Sequence, residues 1–217
     1  MEYLSEREQI INACLWLEEK GLVLGTWGNV SVRLNERELL LTPSRVVYKL
    51  TRPEDLVIID YEGNVISGDR KPTSEMQVHR LIYIKRPDVN AVVHCHPVYA
   101  SAMCATGEGI PPILEELCQL IGGGVPTTRR YVDAGQHLEL AEETVAVLGD
   151  KNAVLMRNHG PVCCGRDLDE ALVACQVVEK AAVCHMAIRG AFSEHVIPAE
   201  LVQSERNRFL YDYAAKP

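Results

Sequence analysis

The stretch AVVHCHPVYA, residues 91–100, places His94 and His96 one residue apart at the end of an apolar run. Side chains alternate faces along a strand, so both imidazoles would leave one face and Cys95 the other. Two imidazoles at this spacing can grip one metal ion from a rigid element. Two ordinary polar residues at a strand exit would read the same way. His159 adds weight to the metal reading. It closes a second apolar run, AVLMRNHG (153–160), and Gly160 lets the chain turn beside it. A third imidazole meeting the first two gives three protein ligands and an open position, the pattern of catalytic zinc. His137, His185 and His195 have no such context. His79 lies four residues after Glu75 and shares its helix face; it could be a further ligand, but the placement points more to support or packing behind the site.

A second group of residues could hold an anion. In GDRKPTSEMQVH (68–79), Thr73 and Ser74 fall at an expected helix start, where free N–H groups and hydroxyls can bind one. Glu75 in the first turn is either a partner of the helix dipole or a base near the metal. GTWGNVS offers Gly25, Thr26, Gly28 and Asn29, and LTPSRV offers Thr42, Ser44 and Arg45 around a proline turn. Either stretch alone is also ordinary loop composition.

These residues need elements to carry them. The chain has 217 residues, 47% apolar and 24% charged, enough for one large domain with a substantial core. Its net charge of −8 argues against general nucleic-acid binding, but not against a locally built phosphate site. The polar start MEYLSEREQI does not resemble a signal peptide. No apolar stretch comes close to the roughly 18 residues of a membrane span. Eight cysteines without a CxxC pair sit mostly in apolar runs, as expected of buried free thiols in a reducing cytoplasm.

The spacing predicts a first helix with a Ser5/Glu8 capping box, closed at Gly21. Short strands follow at NVSVRL, ELLLT and LVIID, then a turn and a short run in YEGNVI. A helix from near Thr73 to about Arg86 leads to the strand VNAVVHCH and a helix from about Tyr99. Residues 110–131 resist assignment. A helix from about Gln136 to Gly149, the strand AVLMRNHG and a long helix capped by Asp167 and Glu170 complete the pattern. Helices and strands are interspersed without regular βαβ alternation. The expected fold is therefore α/β: three layers, α/β/α, around a mixed, mostly antiparallel sheet, spanning 1–217 as a single domain.

GTWGNVSVR, LLLTPS, KPTSE, NAVVHCHP and NHGPV stand in the order and spacing of the class II aldolase/adducin family. The chain resembles that family over almost its whole length, most of all its fuculose-phosphate-cleaving branch. The resemblance implies zinc, one per subunit, on His94, His96 and His159, with manganese or cobalt as alternatives. Glu75 would approach the metal at rest and move away to act as acid/base. Thr26, Gly28, Asn29, Ser44, Arg45, Thr73 and Ser74 would hold the phosphate of a ketose 1-phosphate. Cleavage would give dihydroxyacetone phosphate and an aldehyde through an enediolate. A cyclic homotetramer with sites at subunit boundaries is implied, with no nucleic-acid or membrane partner.

One departure stands out. Fucose-type members carry a tyrosine soon after the Ile-Pro pair as a second acid. Here the segment reads IPPILEELCQ, with Glu115 or Glu116 nearby. The tail FLYDYAAKP supplies Tyr211 and Tyr213 as substitutes. The glutamates resemble members acting on other substrates, so dehydratase, 4-epimerase and decarboxylase activities remain alternatives. A non-enzymatic adducin-like module need not keep the histidines and Glu75, all of which are present.

Overall fold

The structure, a computed structural model, describes residues 1–133 and 135–213, with side chains through Tyr211. Seven strands form one sheet: β1 (Asn29–Arg33), β2 (Glu38–Leu41), β3 (Val57–Asp60), β4 (Val65–Ser67), β5 (Ala91–His94), β6 (Ala153–Leu155) and β7 (Pro161–Gly165). Their order is β4-β3-β2-β1-β5-β7-β6. All six pairings are antiparallel, and an isolated parallel bridge, Thr127–Leu155, flanks β6.

Alternation along the strands builds two cores. Leu40, Ile58, Ala91 and Val93 face one side, where they pack with helices α1 (Leu4–Glu19), α3 (Val98–Thr106) and α5 (Leu168–Arg189). Leu39, Leu41, Val57, Ile59 and Val92 face the other side, under α2 (Met76–Lys85) and α4 (His137–Leu148). A strand buried on both faces reads as a continuous apolar run, as ELLL and AVVH do. The sandwich of helices, sheet and helices is the expected three-layer architecture. A sixth helix, α6 (Ala199–Asn207), continues into a wider turn at Arg208–Tyr213 and packs on a similar turn at Leu117–Ile121. The sequence patterns signalled neither wide turn.

Several expected boundaries shift. The first helix has no capping box. It starts at Leu4 behind Tyr3, whose φ is 55°, so Ser5 already lies inside the first turn. Gly21, with φ 69°, does follow its end. α2 begins at Met76 rather than near Thr73, because residues 71–73 stay extended beside 42–44. Thr73 N–H donates to Thr42 O at 3.1 Å, and Ser44 N–H donates to Lys71 O at 2.8 Å. α5 keeps its expected cap, Glu170 N–H donating to Asp167 Oδ1 at 2.9 Å.

α5 also corrects the reading of apolar stretches. It is 22 residues long and its most apolar 18-residue window has a mean hydropathy of 1.5, long and apolar enough to cross a membrane. Ala171, Ala174, Cys175, Val178, Ala181 and Ala182 lie in the core facing α1, α3 and the sheet, so its apolar character is used in packing. The cysteines match expectation: all eight are free, seven buried and Cys184 half-buried.

Candidate metal centre

β5 delivers the first ligand. Asn29 opens β1 directly opposite His94, the last residue of β5, and His94 pairs with Val162 of β7 on its other side. After His94 the ladder frays: Cys95 N–H still donates to Pro161 O, the next β7 residue in register, at 3.3 Å, but His96 N–H turns away to Leu22 O at 2.9 Å. His96 therefore lies beyond the strand, yet its ring still meets that of His94, with centroids 4.6 Å apart. His159 corrects the expectation of a histidine at a strand end. β6 stops at Leu155, and His159 sits in the turn to β7, after Asn158, whose φ is 58°. Its ring centroid is 4.8 Å from that of His94 and 5.2 Å from that of His96.

One ring nitrogen of each histidine lies within 4.8 Å of the other two. His94 Nδ1 is 2.9 Å from Pro161 O. A carbonyl only accepts, so Nδ1 carries the proton and Nε2 is bare, aimed into the cluster 2.8 Å from His96 Nε2. Burial, then the charge of His159, pushes His96 down to about 4. The same two causes, and His96 as well, put His94 well below the usual histidine value, and burial lowers His159. Three imidazoles that resist protonation, one already oriented by a backbone acceptor, fit a divalent ion with an open coordination position.

Gly160 permits this convergence. A Cβ there would stand 2.5 Å from Cys95 O, 3.2 Å from His94 Cε1 and 3.4 Å from His96 Nδ1. Gly28 has a related part: with φ 136°, its Cβ would meet Val23 Cγ1 at 2.6 Å and His94 O at 3.0 Å.

Glu75 stands at the entry of α2, and its charge opposes the downward shifts of His79, His96 and His159. Asn29 Nδ2 donates to its Oε2 at 2.7 Å, Thr73 Oγ1 to Oε2 at 3.3 Å and Ser74 Oγ to Oε1 at 3.0 Å. The candidate anion residues thus converge. Val30 N–H donates to Thr42 Oγ1 at 3.2 Å, and the pairing of 42–44 with 71–73 brings Ser44 alongside. Arg45 is exposed with φ 60°, and Thr26 is half-buried in the Leu24–Trp27 turn.

The expected second acids make other contacts. Exposed Glu115 accepts from Gln119 at 3.1 Å, and Glu116 is ion-paired with Lys180 of α5. Tyr211 lines a cavity of about 420 Å³ with Arg86, Asp88, Arg166 and Arg206. That cavity borders Val89 and Gly165, at the opposite end of β5 from His94. The side chain of Tyr213 lies outside the described residues. What sequence reasoning left as support was His79, which is buried and hydrogen-bonded between Ser31 and Asn29. Its spacing from Glu75 was the available signal.

Residues 8–186 match the family described as Class II Aldolase and Adducin N-terminal domain, and the chain belongs to it. A 5-deoxy-D-ribulose 1-phosphate aldolase of Bacillus thuringiensis serovar kurstaki is 31% identical, over 94% of this chain and 95% of its own. An L-ribulose-5-phosphate 4-epimerase of Salmonella paratyphi C is 30% identical over 85% of both chains. Among solved structures, an L-fuculose 1-phosphate aldolase superposes with a TM-score of 0.90, at 28% identity, covering 94% of this chain and 96% of its own. The chain is an enzyme of the class II aldolase type.

Proposed function

We propose that this enzyme cleaves a ketose 1-phosphate to dihydroxyacetone phosphate and an aldehyde, with a divalent ion, preferentially zinc, on His94, His96 and His159. The observation that carries the reading is the meeting of three proton-resistant imidazoles from two segments next to the Glu75 carboxylate. A divalent ion held there supplies Lewis acidity toward the carbonyl oxygen of a bound substrate.

The chain's own residues supply the rest. Asn29, Thr73 and Ser74, with the backbone at Gly28 and the Ser44 hydroxyl, anchor the phosphate and so fix the bond to be cleaved. Three of these donors now hold Glu75. An arriving phosphate takes them over and frees the carboxylate to carry a proton to or from the substrate carbon. The aldehyde oxygen needs a second acid, for which Glu115, Glu116, Tyr211 and Tyr213 are the candidates. Tyr211 sits at the far end of β5, so it reaches a histidine cluster only from a neighbouring subunit. Exposed apolar side chains near the site, Leu24, Trp27 and Val98 at 61%, 68% and 67% exposure, suit a covering neighbour. A homotetramer with sites at its boundaries fits both features.

The test is a panel of ketose phosphates incubated with the zinc-loaded enzyme: 5-deoxyribulose 1-phosphate, fuculose 1-phosphate and ribulose 5-phosphate. Triose phosphate, epimer, dehydrated product and carbon dioxide are scored. Triose phosphate from a 1-phosphate is the expected result. Epimer alone would move the assignment to the 4-epimerase branch, and no product at all would remove it.

A further inference from the structure

Behind the candidate site runs a buried chain of polar groups whose inner members, His79, Ser31 and Tyr83, the aldolase reading does not use. His79 lies on α2 with no exposed surface, and burial pushes its pKa down to about 4, so its ring is neutral and has one N–H. Its Nε2 is 2.5 Å from Asn29 Oδ1, and its Nδ1 is 2.6 Å from Ser31 Oγ. Asn29 and Ser31 lie two apart on β1, on the face that packs under α2. Tyr83, one turn after His79, donates to Ser31 O at 2.9 Å.

The directions of these bonds follow from one constraint. The Asn29 amide faces a carboxylate oxygen of Glu75 at 2.7 Å. A carboxylate only accepts, so the NH2 group must point there and Oδ1 must point at His79. Oδ1 in turn requires a donor, which puts the proton of His79 on Nε2. Nδ1 is then bare and accepts from Ser31 Oγ. Reversing the amide would set two acceptors 2.7 Å apart at Glu75, so the relay has one consistent orientation.

We infer that His79 is a positioning residue: as an Nε2–H donor it locks the amide of Asn29 so that Nδ2 always faces the Glu75 and phosphate side. This deepens the proposed function and rests on it for the roles of Asn29 and Glu75. Without His79 the amide is free to rotate, and part of the population presents an oxygen to the carboxylate and to the incoming phosphate. Gln at 79 can return an N–H donor to the same oxygen, whereas Phe cannot.

The experiment compares wild type, His79→Phe and His79→Gln as zinc-loaded full-length protein. Two readings are taken, each beside a melting temperature: deuterium exchange into dihydroxyacetone phosphate in heavy water, per zinc-loaded site, and zinc content. For His79→Phe the expected kcat/KM loss is about 10–100-fold at unchanged zinc content, and His79→Gln returns to within about three-fold of wild type. A purely structural role would lower the melting temperature of both variants and leave the rate per loaded site unchanged, overturning the inference. Loss of zinc with loss of rate would place the effect at the ligands and overturn it too. A third reading needs neither variant nor activity: ¹⁵N NMR of histidine-labelled wild type should show His79 as the Nε2–H tautomer. A Nδ1–H or doubly protonated ring at neutral pH would refute the relay. If wild type catalyses no exchange, the aldolase reading fails by itself, and the tautomer still decides the orientation of Asn29.

Discussion

Replacing Gly160 with alanine should damage the metal centre without touching a ligand. The added Cβ would sit 2.5 Å from Cys95 O, 3.2 Å from His94 Cε1 and 3.4 Å from His96 Nδ1. Carbon and carbonyl oxygen settle at about 3.3–3.6 Å, so roughly 1 Å must be recovered. The obstructing atom is backbone between the two ligands. It is tied by Cys95 N–H to Pro161 O at 3.3 Å and by His96 N–H to Leu22 O at 2.9 Å. Any relaxation therefore carries His94 and His96 away from His159. Overpacking of this kind costs about 1–3 kcal/mol. At roughly 2–4 °C per kcal/mol for a chain of this size, the melting temperature should fall by about 2–12 °C. Metal sites tolerate only about 0.5 Å of ligand displacement, and zinc affinity should fall by at least about ten-fold. Competition against a chelating dye reads the affinity, and scanning fluorimetry of the metal-free protein reads the melting temperature. Wild-type affinity with a melting temperature within about 1 °C of wild type would show that the close approach at Gly160 does not shape the site.

Further predictions concern the acid/base group and the buried histidine. Glu75→Gln should keep its zinc but lose about 10²–10⁴-fold in turnover, measured as deuterium exchange into dihydroxyacetone phosphate. Near wild-type exchange would remove Glu75 from the proton-transfer role. The metal-free protein should become less stable on acidification. His79 has a folded pKa of about 4 against about 6.5 unfolded, so the unfolded chain binds more protons throughout that interval. Its stability contribution is complete above about pH 6.5 and declines as pH falls toward 4, by about 3 kcal/mol in total. A melting temperature that stays flat between pH 7 and pH 5 would contradict this sign.

Much of the fold was legible because strands buried on both faces leave continuous apolar runs, and β1, β2, β3 and β5 lie where those runs stand. The histidines were legible by type and order, but not by position. The ladder ends just past His94: Cys95 N–H still reaches Pro161 O in register, but proline has no N–H to return, and the N–H of His96 turns to Leu22, a segment distant in sequence. His159 reads as part of a strand because it follows the apolar AVLM without a break, whereas the chain turns at once after Met156, with Asn158 in the left-handed region and His159 N–H donating back to Met156 O at 3.0 Å. The capping box at Ser5 failed because helix starts are set by what precedes them, and Tyr3 takes the left-handed conformation there. The relay from Ser31 through His79 and Asn29 to Glu75 joins residues 46 to 50 apart across two elements, which no local pattern records. Glu115 and Glu116 are engaged with Gln119 and Lys180, and Tyr211 lines a cavity at the far end of β5, so none of their described contacts is with the histidines.

The central claim is that His94, His96 and His159 hold one catalytic ion. Crystals grown with zinc, measured on both sides of its absorption edge, test it directly. The expected result is one anomalous peak per subunit, about 2.0–2.1 Å from a ring nitrogen of each of the three histidines. A map with no peak between those rings, while zinc is bound elsewhere on the protein, would contradict the claim.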